Sequence, residues 1–195
     1  MGLSDGLPLL EELDLTNIQF GMAPDTFALD NFPLLKKLNA TGCNIRSFTF
    51  KDGGMLEQII FPDALTKIEF KNLYNLVDTV DENENTVSAV TLTGAANLIS
   101  YNSENSYSNS YQIVQNMLNN AGINRITQLK LNDIDWTIGN ISELQPLVEL
   151  HEKLGTNMSL AGIIHITGTW STVEVNEYHS KWPGVTFDPL AGSTQ

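Results

Sequence analysis

The sequence predicts an α/β fold in which a coiling chain stacks short strands into a parallel sheet, and three observations predict it. Apolar L-x-L triplets recur along the chain, several at steps of 21–25 residues and the last two more widely spaced. Helical spacing of apolar residues begins only in the second half. The chain has 195 residues, 42% hydrophobic and 17% charged, against ~25% charged in ordinary globular proteins. Asn, Ser and Thr supply much of the polar surface instead.

The triplets follow the leucine-rich-repeat template L-x-x-L-x-L-x-x-N/C-x-L. Leu10-Glu-Glu-Leu13-Asp-Leu15 matches its first half, with Ile18 and Phe20 in later apolar slots. Leu35-Lys-Lys-Leu38-Asn-Ala40-Thr-Gly-Cys43-Asn-Ile45 matches all of it, 25 residues on. Leu56-Glu-Gln-Ile59-Ile-Phe61 follows after 21 residues, and Leu65-Thr-Lys-Ile68-Glu-Phe70 after only nine more. Nine residues cannot complete a turn of the coil. One of these two strands must lie on a different face, and the spacing leaves open which. Val87-Ser-Ala-Val90-Thr-Leu92, Ile126-Thr-Gln-Leu129-Lys-Leu131 and Ala161-Gly-Ile-Ile164-His-Ile166 complete the set. No repeat buries its apolar face alone, so stacking must supply the stability. Cys43, in the N/C slot, reads as a small packed side chain.

The second half predicts strand–helix units. Ser110 to Leu118 has helical spacing and ends near Gly122. A second helix spans 142–154, with Leu144, Leu147, Val148, His151 and Leu154 on one face. Pro146 falls in its first turn, and Gly155 ends it. Ser171 and Glu174 form a capping box that opens a third helix carrying Val175, Tyr178 and Trp182. Pro183-Gly184 stops it, and Val185-Thr-Phe187 is a closing strand. The whole is a single domain over 1–195. Irregular β-rich repeats occupy 7–100, a loop 101–110, and strand–helix repeats with a C-terminal cap 111–188. The acidic run 77–86 (VDTVDENENT) reads as a second loop, and loops often carry recognition.

Charge excludes whole function classes. Ten basic residues stand against 23 acidic ones, a net charge of −13. Such a chain repels a phosphate backbone and an anionic membrane surface, so neither nucleic acid nor membrane docking is expected. No apolar run approaches the ~20 residues of a membrane span. The lone Cys43 allows no intramolecular disulfide, which leaves an extracellular location open. No basic-then-apolar leader precedes the first repeat, which starts at Leu7, so the sequence reads as a piece of a longer protein.

A search for chemistry points to a non-catalytic module with no cofactor and no metal. Nucleophile-elbow, P-loop, zincin and dinucleotide motifs are missing. His151, His165 and His179 fall on separate elements. His151 lies on the apolar side of its helix, and His165 takes an outward strand slot. Asp81-x-Asn83-x-Asn85 echoes a calcium loop, but Thr86 stands where glycine is needed and Leu92 where glutamate is needed. Loose calcium binding by Asp78, Asp81, Glu82 and Glu84 stays open. Trp136 and Trp182 read as core or cap. Trp170, in the turn after the last full repeat, reads as an exposed aromatic suited to stacking on a sugar. Side chains alternate across a strand, so the middle residue of each triplet points outward. The predicted contact column is Asp14, Asn39, Glu69 or Ile60, Thr91, Lys130 and His165, with Trp170 beside it.

These residues also carry a resemblance. From Leu35 onward, LKKLNATGCNIRSFTF, KDGGMLEQIIFPDALTKIEF and KNLYNLVDT resemble leucine-rich-repeat segments of tail and other virion structural proteins of gut-bacterial phages. IIHITGTWSTVEVNEYHSKWPGVTF is similar to the end of the same segments, where an H-x-T/S-G-T motif precedes a short helix and an aromatic-Pro strand. IIFPDALTKI also resembles surface repeat proteins secreted by gut bacteria. The resemblance implies a leucine-rich-repeat solenoid with a structural or protein-binding role, in a virion or at a cell surface. Other virion subunits, another protein or a cell-surface glycan would be the partner. A bacterial adhesin domain and a carbohydrate-binding accessory domain are the alternatives. Neither group carries catalytic residues in these repeats. The Asn/Ser/Tyr run after Ser100 has no counterpart in them.

Overall fold

The structure is a computed structural model that describes residues 7–22, 26–28, 32–52, 54–92, 97–106 and 111–189. The fold is α/β, with mostly strands and two parallel sheets. Strands β1 (Glu12–Asp14), β3 (Lys37–Asn39), β5 (Gln58–Phe61) and β9 (Val90–Leu92) form a four-stranded short sheet in that order. Strands β2 (Phe27–Ala28), β4 (Ser47–Lys51), β6 (Lys67–Lys71), β10 (Ser100–Glu104), β11 (Gln128–Ile138), β12 (Met158–Ile166) and β13 (Gly184–Pro189) form a seven-stranded long sheet. Every pairing within these two sheets is parallel. Between β6 and β9 an antiparallel hairpin intervenes, β7 (Thr79–Val80) with β8 (Thr86–Val87).

Up to β10 the main strands alternate between the sheets in chain order. This alternation resolves the nine-residue spacing: the strand at 58–61 lies in the short sheet and the strand at 67–71 in the long one. Parallel neighbours cannot be joined by a tight turn, so the chain must travel away and return. Here it visits the other sheet on the way. The inner side chains of the two sheets meet in an aromatic spine. Phe61 of the short sheet lies 5.1 Å from Phe48 and 6.0 Å from Phe70 of the long sheet, ring centre to ring centre. Phe70 continues to Phe50 and Tyr101, and Phe27 and Phe32 extend the spine toward the N-terminus.

After β10, helices take the place of the short-sheet strands in chain order: α1 (Tyr111–Ala121), α2 (Gln145–Leu154) and α3 (Thr172–Lys181). Each packs on the strand that follows it. α1 ends at Gly122, whose φ of +74° suits glycine. A short 3₁₀ turn, Ile141–Leu144, leads into α2, and Gly155 at φ +53° ends it. The Ser171 hydroxyl accepts the Glu174 N–H at 3.2 Å, the first half of the predicted capping box, but the Glu174 carboxylate accepts that same hydroxyl at 2.5 Å instead of the Ser171 N–H. Lys153 on α2 donates to the carbonyls of Ile123, Asn124 and Ile126 at 2.6, 2.7 and 2.7 Å. Those three carbonyls lie in the turn after α1, so one ammonium satisfies a connection that has no ladder of its own.

Several expectations change. The segment 101–110, read as a loop, opens with β10; residues 107–110 lie outside the described residues. Tyr101 and Ser103 point inward, 1% exposed each, while Asn102 points out. The strand's outer face is so polar that its alternation is hidden in an Asn/Ser run. The 77–86 segment contains the hairpin rather than a plain loop. The strands at 126–131 and 161–166 are neighbours, as the repeat spacing predicts, but they are not level. In the β11–β12 pair Leu129 sits opposite Met158 and Leu131 opposite Leu160. A bulge between Leu131 and Ile134, with Asp133 at φ +58°, restarts the register, and Ile164 then faces Trp136. Of the expected core leucines, Leu13 and Leu92 are only half-buried, because β1 and β9 are the edge strands of the short sheet.

The long sheet also carries a column that the pattern does not announce. Asp52, Asn72 and Asn105 follow β4, β6 and β10, all with left-handed backbone at φ +54°, +56° and +48°. Asp and Asn tolerate this conformation better than other side-chain-bearing residues. The Asn72 amide donates to the Asp52 carboxylate at 2.6 Å, and the Asn105 amide donates to the Asn72 side-chain oxygen at 3.1 Å. The polar ladder runs on beyond the last backbone pair of each strand.

Two substitutions test this account. Leu129, fully buried in the long sheet, should cost about 2–5 kcal/mol on replacement by Ala, read by urea titration. Gly162 lies opposite the β11 bulge at φ +130°, and a Cβ there would overlap the Ile134 carbonyl oxygen. Gly162→Ala should therefore lower the melting temperature well below that of Gly21→Ala, where a Cβ meets nothing within 4 Å. Equal melting temperatures would remove the tight crossing from the account.

Candidate functional site

The predicted contact column divides into three groups, because its members belong to two sheets and two registers. Asp14, Asn39, Ile60 and Thr91 are level with one another on the short sheet. Ala28, Thr49, Glu69, Asn102, Lys130 and Ser159 are level on the long sheet. His165 stands apart, level with Thr137 and Asp188, since the β11 bulge displaces it from Lys130. A single column through all of them does not exist.

The short-sheet group is tied up in its own turns. One Asp14 carboxylate oxygen accepts the Thr16 hydroxyl at 2.5 Å and the Thr16 N–H at 2.8 Å, and these bonds hold its pKa below the ordinary carboxylate value. Asn39 repeats the motif on Thr41, at 2.7 and 3.1 Å. Both side chains close the bend at the end of the strand, a structural use of an Asx turn.

The long sheet offers the broader surface. Of the ten basic residues, four (Lys51, Lys67, Lys71 and Lys130) project from its outer face. Glu69 sits among them, 3.2 Å from Lys51 and 3.1 Å from Lys67. Partial burial works to raise the Glu69 pKa, but hydrogen bonds and charge from Lys67 and Lys51 outweigh it, and the net shift is downward. Lys71 pairs with Glu104 at 3.2 Å. Among the described residues Lys130 has no ion pair. At the other end of the sheet the sign reverses: His165 lies 3.0 Å from Asp188 and 3.3 Å from Asp135. The face is basic over β4 and β6, keeps Lys130 near the start of β11, and turns acidic around His165.

Other candidates fare differently. Trp170, expected as an exposed sugar platform, is half-buried against the core, and its indole N–H is covered without a partner among the described residues. Packing ahead of α3 uses its apolar surface. Trp136 and Trp182 are core, 0% and 2% exposed. Cys43 is buried, and burial raises its thiol pKa, so it stays protonated at neutral pH. The Asp81 carboxylate accepts the Asn83 and Asn85 N–H groups at 2.8 Å each and the Asn85 amide at 3.2 Å. The calcium-like sequence is thus a self-capped hairpin turn. Among the described residues no three His, Cys, Asp or Glu side chains converge as a metal site.

Sequence reasoning missed one feature entirely. The hairpin overhangs the start of the short-sheet strands and leaves an open cleft of about 580 Å³, lined among others by Lys37, Glu57, Tyr74, Val77, Val87 and Ser88. The available signal was three valines, Val77, Val80 and Val87, spaced through an otherwise acidic run.

The chain matches no family model, and no curated protein or solved structure is significantly similar to it.

The Glu69 cluster generates a pH prediction. A carboxyl with a lowered folded pKa adds stability above its unfolded value, and that stability is lost as pH falls through the folded value. The ordinary value here is 4.5. Glu69→Gln should therefore destabilise by up to about 1 kcal/mol at pH 7. Its unfolding curve should converge on the parent's as the pH is lowered from 5 toward 3. A gap that persists undiminished at pH 3 would remove the charge from the explanation.

Proposed function

We propose that this chain is a leucine-rich-repeat-type solenoid acting as a non-catalytic binding module, and that the outer face of the long sheet is its contact surface. The L-x-L periodicity and the passage of the chain through stacked parallel strands support the solenoid reading. The observation that carries the binding reading is the outer face itself. Seven parallel strands form one continuous outward surface, and on it gather four of ten basic residues in a chain of net charge −13. A surface with basic and acidic ends favours a partner of opposite pattern, which fixes orientation and speeds encounter.

The resemblance to phage tail repeats gives the setting: a segment of a larger virion protein that contacts a neighbouring subunit. A bacterial adhesin domain would use the same face on a host-cell protein. The carbohydrate-binding alternative draws nothing from Trp170, whose ring is half-buried.

Glu69 and Lys130 test the proposal, since they share a level with only Asn102 between them. Glu69→Lys with Lys130→Glu keeps the net charge and reverses the local pattern. Retention on purified phage particles and on intact gut-bacterial cells should weaken at least tenfold in the double variant, a loss of about 1.4 kcal/mol. Unchanged retention would move the contact off this face, and loss of binding to a simple glycan on Trp170→Ala would revive the carbohydrate reading.

A further inference from the structure

We propose that the cleft beneath the β7–β8 hairpin is a second docking site, for an extended segment of a partner protein in which basic residues alternate with aliphatic ones. The hairpin is the one insertion that interrupts the exchange of strands between β6 and β9 among the described residues. It is held in place. The Asp78 carboxylate accepts the Ala89 N–H at 2.9 Å, the Asn75 amide donates to the Gly54 carbonyl, and Asp81 caps the turn. Such an overhang is a fixed wall rather than a loose strap.

Apolar exposure marks this wall as a surface that something covers. Tyr74, Val77, Val80 and Val87 are 67%, 51%, 67% and 37% exposed. All four lie between β6 and β9, and three of them line the cleft. A single exposed valine is ordinary; Tyr74, Val77 and Val87 together on one cleft form a patch. Burying them against an aliphatic segment would remove that surface from water.

Charge says what kind of segment fits. Between Lys71 and Arg125 the sequence has neither lysine nor arginine. The hairpin carries Asp78, Asp81, Glu82 and Glu84 beside the cleft rather than in its lining, and Glu57 is the acid among the residues that line it. The cleft's own base, Lys37, is already paired with Glu12 at 3.0 Å. An occupant that brings positive charge along with its apolar side chains therefore suits the acids that rim the cleft on the hairpin side. An acidic partner, or a second copy presenting its own acidic hairpin, would be repelled.

This site is separate from the long-sheet face, so the two can fail independently. The test uses the whole chain and two synthetic ten-residue peptides, one alternating Lys with Val and one alternating Glu with Val, followed by fluorescence anisotropy. The basic peptide should bind at least tenfold tighter than the acidic one. Tyr74→Ala with Val77→Asn should weaken it at least tenfold, with thermal unfolding little changed because both side chains are exposed and Tyr74 gives up only a surface hydrogen bond to Asn72. Glu82→Lys with Glu84→Lys should do the same. Glu149→Gln with Glu152→Gln, exposed on α2 and outside both surfaces, should leave binding as it was. Indifference to the cleft variants would reduce the binding to general attraction by an acidic protein and overturn the site. Absence of binding by either peptide at about 1 mM, the edge of useful affinity, would overturn it as well. Self-association that the Tyr74/Val77 variant abolishes would assign the cleft to a second copy instead.

Discussion

Contact between Phe61 of the short sheet and Phe48 and Phe70 of the long sheet is the interaction on which the rest of the structure depends. A short parallel strand has no independent stability, since its neighbours are distant in sequence and its apolar residues face one way. Strands of two to five residues, as β1 to β6 are, become stable only when two inner faces close on each other. Phenylalanine suits that task because one ring spans the gap between sheets and its edge can meet a neighbour's face. Fixing the sheets through their centre also fixes which side chains face out, and so decides the surfaces available to a partner.

The exchange of strands for helices after β10 follows from the same requirement. The long sheet continues, but its inner face is now covered by α1, α2 and α3. Tyr111 on α1 packs against Trp136 in a tilted pair, ring centres 4.9 Å apart, and His151 on α2 meets Trp182 at 5.8 Å. These larger rings fill the wider space that a helix leaves. The strands lengthen at the same point, to eleven residues in β11 and nine in β12, and a bulge part-way along the pair shifts its register.

The sequence declares what periodicity can carry and conceals what depends on a third dimension. The apolar positions of β3, β5 and β6 and the three helices were legible because each is a local pattern, whereas β4 went unread because Phe48 and Phe50 stand outside the L-x-x-L-x-L matches. The nine-residue step announced a second face but could not say which strand occupied it, since both strands have the same L-x-x-I-x-F form. β10 was hidden because Ser103 replaces a leucine on its inner side. The contact column failed for a related reason: Lys130 and His165 occupy like positions in their triplets, but the bulge at Asn132 and Asp133 separates their levels. Trp170 was placed outside because a turn position suggests exposure, whereas its ring folds back on the core. The cleft was illegible because its walls, the strand starts of the short sheet and the hairpin, come together only in the folded chain.

Every pairing in the two main sheets joins residues between 20 positions apart, as in Phe48 with Ile68, and 33, as in Ile68 with Tyr101. For a parallel sheet this is a short reach, and it bears on how the fold is assembled in time. Each added strand closes a loop of similar length, so no step carries a much larger entropic barrier than the last. Growth can start at the aromatic centre and spread to both ends, one neighbour at a time. Loosening should run the other way, beginning at the two- and three-residue strands β2 and β1, so that the N-terminal end exchanges its amide hydrogens while the tryptophan-filled end stays closed.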